Sequence, residues 1–164
     1  LEFSSSFLLF TKNGMTQKLI HDLKYNDNTN VGEALGFMFG QTLNGNIEIP
    51  DAIIPIPLHP NKEKLRGYNQ SYFIAKGLAE ALRTKVDNTL VKRIKENPSQ
   101  TTLSRYDRWE NVKDIFLCET KTDYKYIWIV DDTLTTGSTL EACANAILKT
   151  NHVKLGIATL AFAY

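Results

Sequence analysis

The spacing of apolar residues along the chain alternates between two periods. Met15, Leu19 and Leu23 fall one turn apart with Ile20 beside them, which predicts an amphipathic helix over "MTQKLIHDLKY". Val31, Leu35, Met38 and Phe39 predict a second over "VGEALGFMFGQTL". "DAIIPIPL" is a short apolar strand that meets Pro55 and Pro57, neither of which can donate to a ladder, so it must end there in a shaped loop reaching Arg66. A third helix follows over "NQSYFIAKGLAEALRT", with Ile74, Ala75, Leu78 and Leu82 on its buried face and Asn69 or Ser71 as N-cap. "TLVKRI" is a further strand. The stretch after it, "ENPSQTTLSRYDRWENVKD", has no apolar period and reads as a long loop or hairpin. Ile127–Val130 is a run without alternation, suited to a strand covered on both faces. A helix from Thr139 to Lys149, buried through Leu140, Ala144, Ile147 and Leu148, leads to a last strand, "VKLGIATLAFA".

This order of elements implies an α/β fold with a mainly parallel central sheet flanked by helices. Ligands of such sheets bind beyond the carboxyl ends of the strands, where both unusual loops, Pro55–Arg66 and Asp131–Thr139, leave the sheet. Composition narrows the class only a little. At 164 residues, 43% hydrophobic and 23% charged, without internal repeat or low-complexity linker, the chain is expected to be one domain. A net charge of +1 gives no argument for nucleic acid or an anionic membrane. Two cysteines, Cys118 and Cys143, are too few and too far apart for a zinc motif; both read as packing residues, and a reduced, cytoplasmic setting is expected. No membrane span is predicted, and His21 and His152 read as surface or packing residues.

The chemistry concentrates in "IWIVDDTLTTGSTL". Thr135, Thr136, Gly137, Ser138 and Thr139 lie between a strand and a helix start, where free N–H groups and the positive end of the helix dipole favour a phosphate. Asp131 and Asp132 accept hydrogen bonds when ionised, which suits vicinal hydroxyls or the water around a magnesium ion. A ribose 5-phosphate group satisfies both halves. Neither "GxxxxGK[ST]" nor "GxGxxG" occurs, so the commonest alternative phosphate motifs are absent. Because adjacent carboxylates repel, replacing both by amides is expected to leave stability unchanged or raise it.

The stretch resembles the 5-phosphoribosyl-1-pyrophosphate (PRPP) motif of type I phosphoribosyltransferases. With "PIPLHPNKEKLRGYNQ", "LKY" at 23–25 and "SQTTLSRYDRWENVKDIF", the chain resembles the ComF/GntX family over nearly its whole length. The resemblance implies the type I phosphoribosyltransferase fold with a mobile loop or hairpin over the site. It also implies transfer of a phosphoribosyl group from PRPP to a nitrogen nucleophile, with release of pyrophosphate. On that template Asp131 and Asp132 are the catalytic pair at the ribose hydroxyls, and Thr135–Thr139 hold the 5-phosphate. Pro57, Leu58, His59 and Arg66 would meet pyrophosphate, with Lys62 and Lys64 nearby; for His59 an ordinary loop role is as good a reading. Arg105 and Arg108 would belong to the lid, in which Tyr106 and Trp109 could also stack on bases. Magnesium is implied through PRPP and water, with no protein ligand assigned.

Two departures bear on the function. ComF-like chains carry a cysteine-rich zinc module before this domain, so the chain is expected to be a fragment lacking it, or a variant, and zinc is not assigned. Thr135 stands where purine-salvage enzymes have an aspartate near the base, which weakens a purine acceptor. The acceptor is left open, as is a homodimer. The alternative to an enzyme is a non-catalytic PRPP-binding or competence accessory protein, whose partners would be DNA-uptake machinery or single-stranded DNA.

Overall fold

A computed structural model of the chain describes residues 1–9, 14–25, 28–43, 45, 47–95 and 115–163. Its centre is a parallel sheet in the order β1 (Phe3–Leu9), β6 (Lys154–Phe162), β5 (Tyr126–Leu134), β2 (Ala52–Pro55). Helices α1 (Met15–Tyr25), α2 (Thr29–Leu43) and α4 (Gln70–Leu82) contribute to a core with one face of the sheet. That core holds Leu23, Phe39, Ile74, Leu78, Trp128, Val130 and Leu160. Helix α5 (Ser138–Thr150) and a separate two-stranded ladder, β3 (Lys92–Arg93) with β4 (Phe116–Leu117), form the opposite core around Ile54, Ile127, Ile129, Cys143 and Ile147. Side chains alternate across β5: Trp128 and Val130 enter the first core, Ile127 and Ile129 the second. Each such side chain, fully buried, contributes about 1.5–3 kcal/mol.

The expected α/β architecture is the observed one, with several local differences. Strand β1 was not anticipated, because "FSSSFLL" has neither an apolar run nor strict alternation. It is held by register with β6, by a 2.5 Å bond between Ser6 Oγ and Thr159 Oγ1, and by Phe3 stacked on Trp128 at 4.4 Å. Pro60–Arg66 is a short helix, α3, with no buried residue, where a loop was read. "TLVKRI" supplies only the two paired residues of β3.

The helix faces also differ. Met15 and Met38 are exposed; Phe39 is buried as expected, and beside it α2 buries Gly32, Gly36 and Gly40. The reason is a backbone-to-backbone crossing with α4: a Cβ on Gly36 would lie 2.2 Å from Ile74 O, and one on Gly77 would lie 1.9 Å from Glu33 O. On α5, Leu148 is exposed and Ala144 half-buried, whereas Leu140, Cys143, Ala146 and Ile147 are buried. Both cysteines are buried and free; burial is the leading cause that raises their thiol pKa values. His21 and His152 are exposed. No helix among the described residues is long and apolar enough to cross a membrane.

Candidate functional site

Strands β2 and β5 are parallel neighbours in the register Pro55↔Val130, so their C-terminal ends open at one edge of the sheet. Ile56 N donates to Val130 O at 2.8 Å and continues the ladder by one bond before Pro57 turns the chain away. His59 is the N-cap of α3: its Nδ1 accepts from Asn61 N at 3.3 Å, and Pro60 occupies the first turn, where a missing N–H costs nothing. Lys62 and Lys64 are exposed, while Arg66 is half-buried at the end of the helix. Gly67 closes α3 with φ 85°, its N–H donating to Glu63 O. Asn69 caps α4 through Ser71 N at 3.0 Å and also donates to Ile56 O at 3.0 Å. The basic segment is thereby fastened to both the sheet edge and α4.

On the other side, β5 runs to Leu134, so the acidic pair lies within the strand and inherits its alternation. The two carboxylates are consequently held by different surroundings. Asp132 is 4% exposed; its Oδ2 meets Lys24 Nζ at 2.9 Å and accepts from Gln70 Nε2 at 2.9 Å. Asp131 is half-buried and lines a small cleft with Thr133, Leu134, the loop Thr135–Thr139 and Leu140. Its Oδ1 accepts from Ser71 Oγ at 2.9 Å and from Asp132 N at 2.8 Å. Burial, and then the charge of Asp132, push the Asp131 carboxyl up to about 7.

The loop itself turns on Gly137, at φ 78°, where a side chain would be strained. No side chain caps α5 there. Thr136 Oγ1 and Ser138 Oγ lie 3.0 Å apart at the rim. The first-turn N–H groups and these hydroxyls therefore border the cleft that Asp131 closes from the strand side.

The structure thus brings together Asp131, Thr135–Thr139, Pro57–His59 and Arg66 at one edge, with Asp132 behind them. Arg105 and Arg108 lie outside the described residues, as do Tyr106 and Trp109. Lys24, Gln70, Ser71 and Thr133 were not read as site residues. Thr133 Oγ1 is buried and has no hydrogen-bond partner among the described residues. Lys24, Gln70 and Thr133 lie in the "LKY", "PIPLHPNKEKLRGYNQ" and "IWIVDDTLTTGSTL" segments that carry the resemblance, but nothing local marks them as site residues, and Ser71 reads only as a possible N-cap.

The chain has the type I phosphoribosyltransferase fold. Over 84% of its length it superposes on a glutamine PRPP amidotransferase from B. subtilis with a TM-score of 0.55 at 15% identity, covering 30% of that chain. A structure described as the allosteric regulatory enzyme of purine biosynthesis matches similarly, with a TM-score of 0.54 at 13% identity over 84% of this chain and 29% of the other. No family model matches the sequence. In sequence the chain is similar to Competence protein F of Haemophilus influenzae, 38% identical over 106 residues, which are 63% of this chain and 46% of that protein. It is also 31% identical over 136 residues, or 80% of its length, to the DNA utilization protein YhgH of Escherichia coli K12, of which it spans 60%.

Proposed function

We propose that the chain binds PRPP at this sheet edge and transfers its phosphoribosyl group to a nitrogen nucleophile. The observation that carries the reading is the meeting of an uncapped, glycine-turned helix start with a carboxylate and a basic loop at the ends of two adjacent parallel strands. In this reading the N–H groups and hydroxyls of Thr135–Thr139 take the 5-phosphate, and the Asp131 carboxylate accepts from the ribose hydroxyls, with Asp132 supporting it from behind. Pro57–His59 and Arg66 face the pyrophosphate. The nucleophile's nitrogen forms a bond to C1 as the C1–oxygen bond breaks, the electron pair leaves with pyrophosphate, and the nucleophile gives up a proton. Arg66 stabilises the charge that grows on the departing group.

Magnesium fits this donor set only as a water-rich ion. No cluster of three or more His, Cys, Asp or Glu exists among the described residues, and Mg2+ commonly binds through few carboxylates, water and phosphate oxygens. Asp131 would face the ion's water. When bound, the ion neutralises pyrophosphate charge.

A second reading is a non-catalytic PRPP-binding accessory to DNA uptake or use, favoured by the names of the two relatives. Calorimetric titration with Mg–PRPP, paired with an assay of pyrophosphate release across amine and base acceptors, separates the two. Binding with turnover supports the enzyme, binding without turnover the accessory role, and no binding overturns both. Within the enzyme reading, Arg66→Ala is expected to weaken PRPP at least tenfold and ribose 5-phosphate about threefold or less, because only PRPP carries the extra anionic groups. Equal weakening of both ligands would return Arg66 to a structural role.

A further inference from the structure

We propose that Lys24, at the C-terminal end of α1, is the positioning residue that fixes the acidic end of β5 for ligand, making α1 a working part of the site. The proposal rests on the PRPP reading for its ligand measurements alone. Its geometry is a continuous set of contacts through four elements. Lys24 Nζ meets Asp132 Oδ2 at 2.9 Å, and Gln70 Nε2 donates to the same oxygen at 2.9 Å. Gln70 Oε1 accepts from Arg66 Nη1, so the amide is committed at both ends and its orientation is set by two charged neighbours. Tyr68 Oη donates to Leu23 O at 2.7 Å, tying the turn that carries Lys24 to the basic segment. Leu23 is 0% exposed, which anchors that turn in the core.

A simple surface ion pair would not have these properties. Asp132 is buried beside a second carboxylate, and an uncompensated charge there is costly enough that the strand end would shift to recover a partner. Asp131 feels such a shift directly, because its Oδ1 accepts from the Asp132 amide. Arg66 feels it through Gln70. One ammonium therefore holds two parts of the proposed ligand site: the ribose side through β5 and the pyrophosphate side through α4 and α3. The phosphate loop at Thr135–Thr139 has no described hydrogen bond or ion pair in this set.

The test uses Lys24→Met, with Lys24→Gln as the milder variant where Met prevents folding, and Lys24→Arg as rescue. Calorimetry is expected to show Mg–PRPP weakened at least tenfold and inorganic phosphate changed less than twofold, with Lys24→Arg recovering most of the loss. Equal affinity for Mg–PRPP in folded Lys24→Met, or equal weakening of PRPP and phosphate, would overturn the proposal. A ligand-free measurement separates this from the PRPP reading. Amide exchange at Asp131–Thr133 and at Gln70–Ser71 is expected to rise at least tenfold in the variant, with Leu78 and Ile147 unchanged. Unchanged exchange at the acidic strand overturns the positioning role whether or not PRPP binds. Raised exchange in a protein whose parent binds no Mg–PRPP keeps the positioning role and removes the PRPP reading.

Discussion

Gly77→Ala is expected to cost the protein about 3 kcal/mol or more, enough to leave much of a marginal domain unfolded at 37 °C. The added Cβ would lie 1.9 Å from Glu33 O and 2.7 Å from Phe37 N, and both obstacles are backbone of α2. A side chain could rotate aside; a helix backbone has to move as a body. Gly36 makes the reciprocal approach to Ile74 O, so sliding α2 along α4 relieves one contact only by tightening another. Helix propensity argues the other way, since alanine is favoured over glycine by about 1 kcal/mol inside a helix. The steric term is the larger, and the sign of the measured change decides between them. Denaturant unfolding of the ligand-free protein is the check. Unchanged or raised stability would mean that α2 and α4 do not cross backbone to backbone. Ligand binding should also suffer in any folded fraction, because the same helix carries Gln70 and Ser71 to the acidic strand.

Asp131→Asn and Asp132→Asn are expected to weaken Mg–PRPP at least tenfold each while moving stability in opposite directions. A hydrogen bond to a charged acceptor is worth about 1.5–3 kcal/mol, which sets the affinity loss for Asp131; Asp132 acts through its place behind it. For stability, the Asp131 carboxyl is pushed up to about 7 in the fold from its ordinary 3.8, burial being the first cause and the charge of Asp132 the second. Its contribution is fully present below about pH 4 and is lost as pH rises through 7. Asparagine mimics the protonated acid, and its Oδ1 can still accept from Ser71 and the Asp132 amide. Above pH 7 the Asp131→Asn protein should therefore be more stable than the parent by about 1–3 kcal/mol, the difference closing as pH falls toward 4.

Asp132→Asn takes the carboxylate away from Lys24 and should cost about 1–3 kcal/mol, less than a fully buried pair because Lys24 keeps some contact with water. The two carboxylates do repel, since the Asp132 charge raises the Asp131 carboxyl, but each also has partners of its own. Affinity has its own pH signature: below pH 7 the parent should lose up to tenfold per unit as Asp131 takes up a proton. Asp131→Asn should keep only the ligand's phosphate titration near pH 6. A folded Asp131→Asn protein that binds Mg–PRPP as tightly as its parent would sink the phosphoribosyl reading of "VDDTLTTGST".

What the sequence determined by itself is local. Runs such as Ile127–Val130 and the period of α4 follow from side-chain hydrophobicity, and Gly137 between hydroxylic residues marks a helix start whose backbone is open to an anion. Asn69 as a cap is equally local, since the bond spans two residues. These features, with two loops leaving strand ends, were enough for the fold class and for one set of candidate residues.

Tertiary structure decided whatever depends on partners far along the chain. "FSSSFLL" becomes a strand only because β6 offers it an edge, and Met15, Met38 and Leu148 are exposed because neighbouring helices and strands determine which stripe of each helix is covered. The glycine crossing of α2 and α4 reverses the usual rule that large apolar residues mark the buried face. Above all, two adjacent carboxylates that look equivalent in sequence are separated by the pleat of β5. One meets Ser71 and the cleft; the other meets Lys24 and Gln70, which lie 108 and 62 positions away along the chain. Charge is a property of the residue, but its compensation belongs to the fold, because only packing brings a cation from α1 against the end of β5.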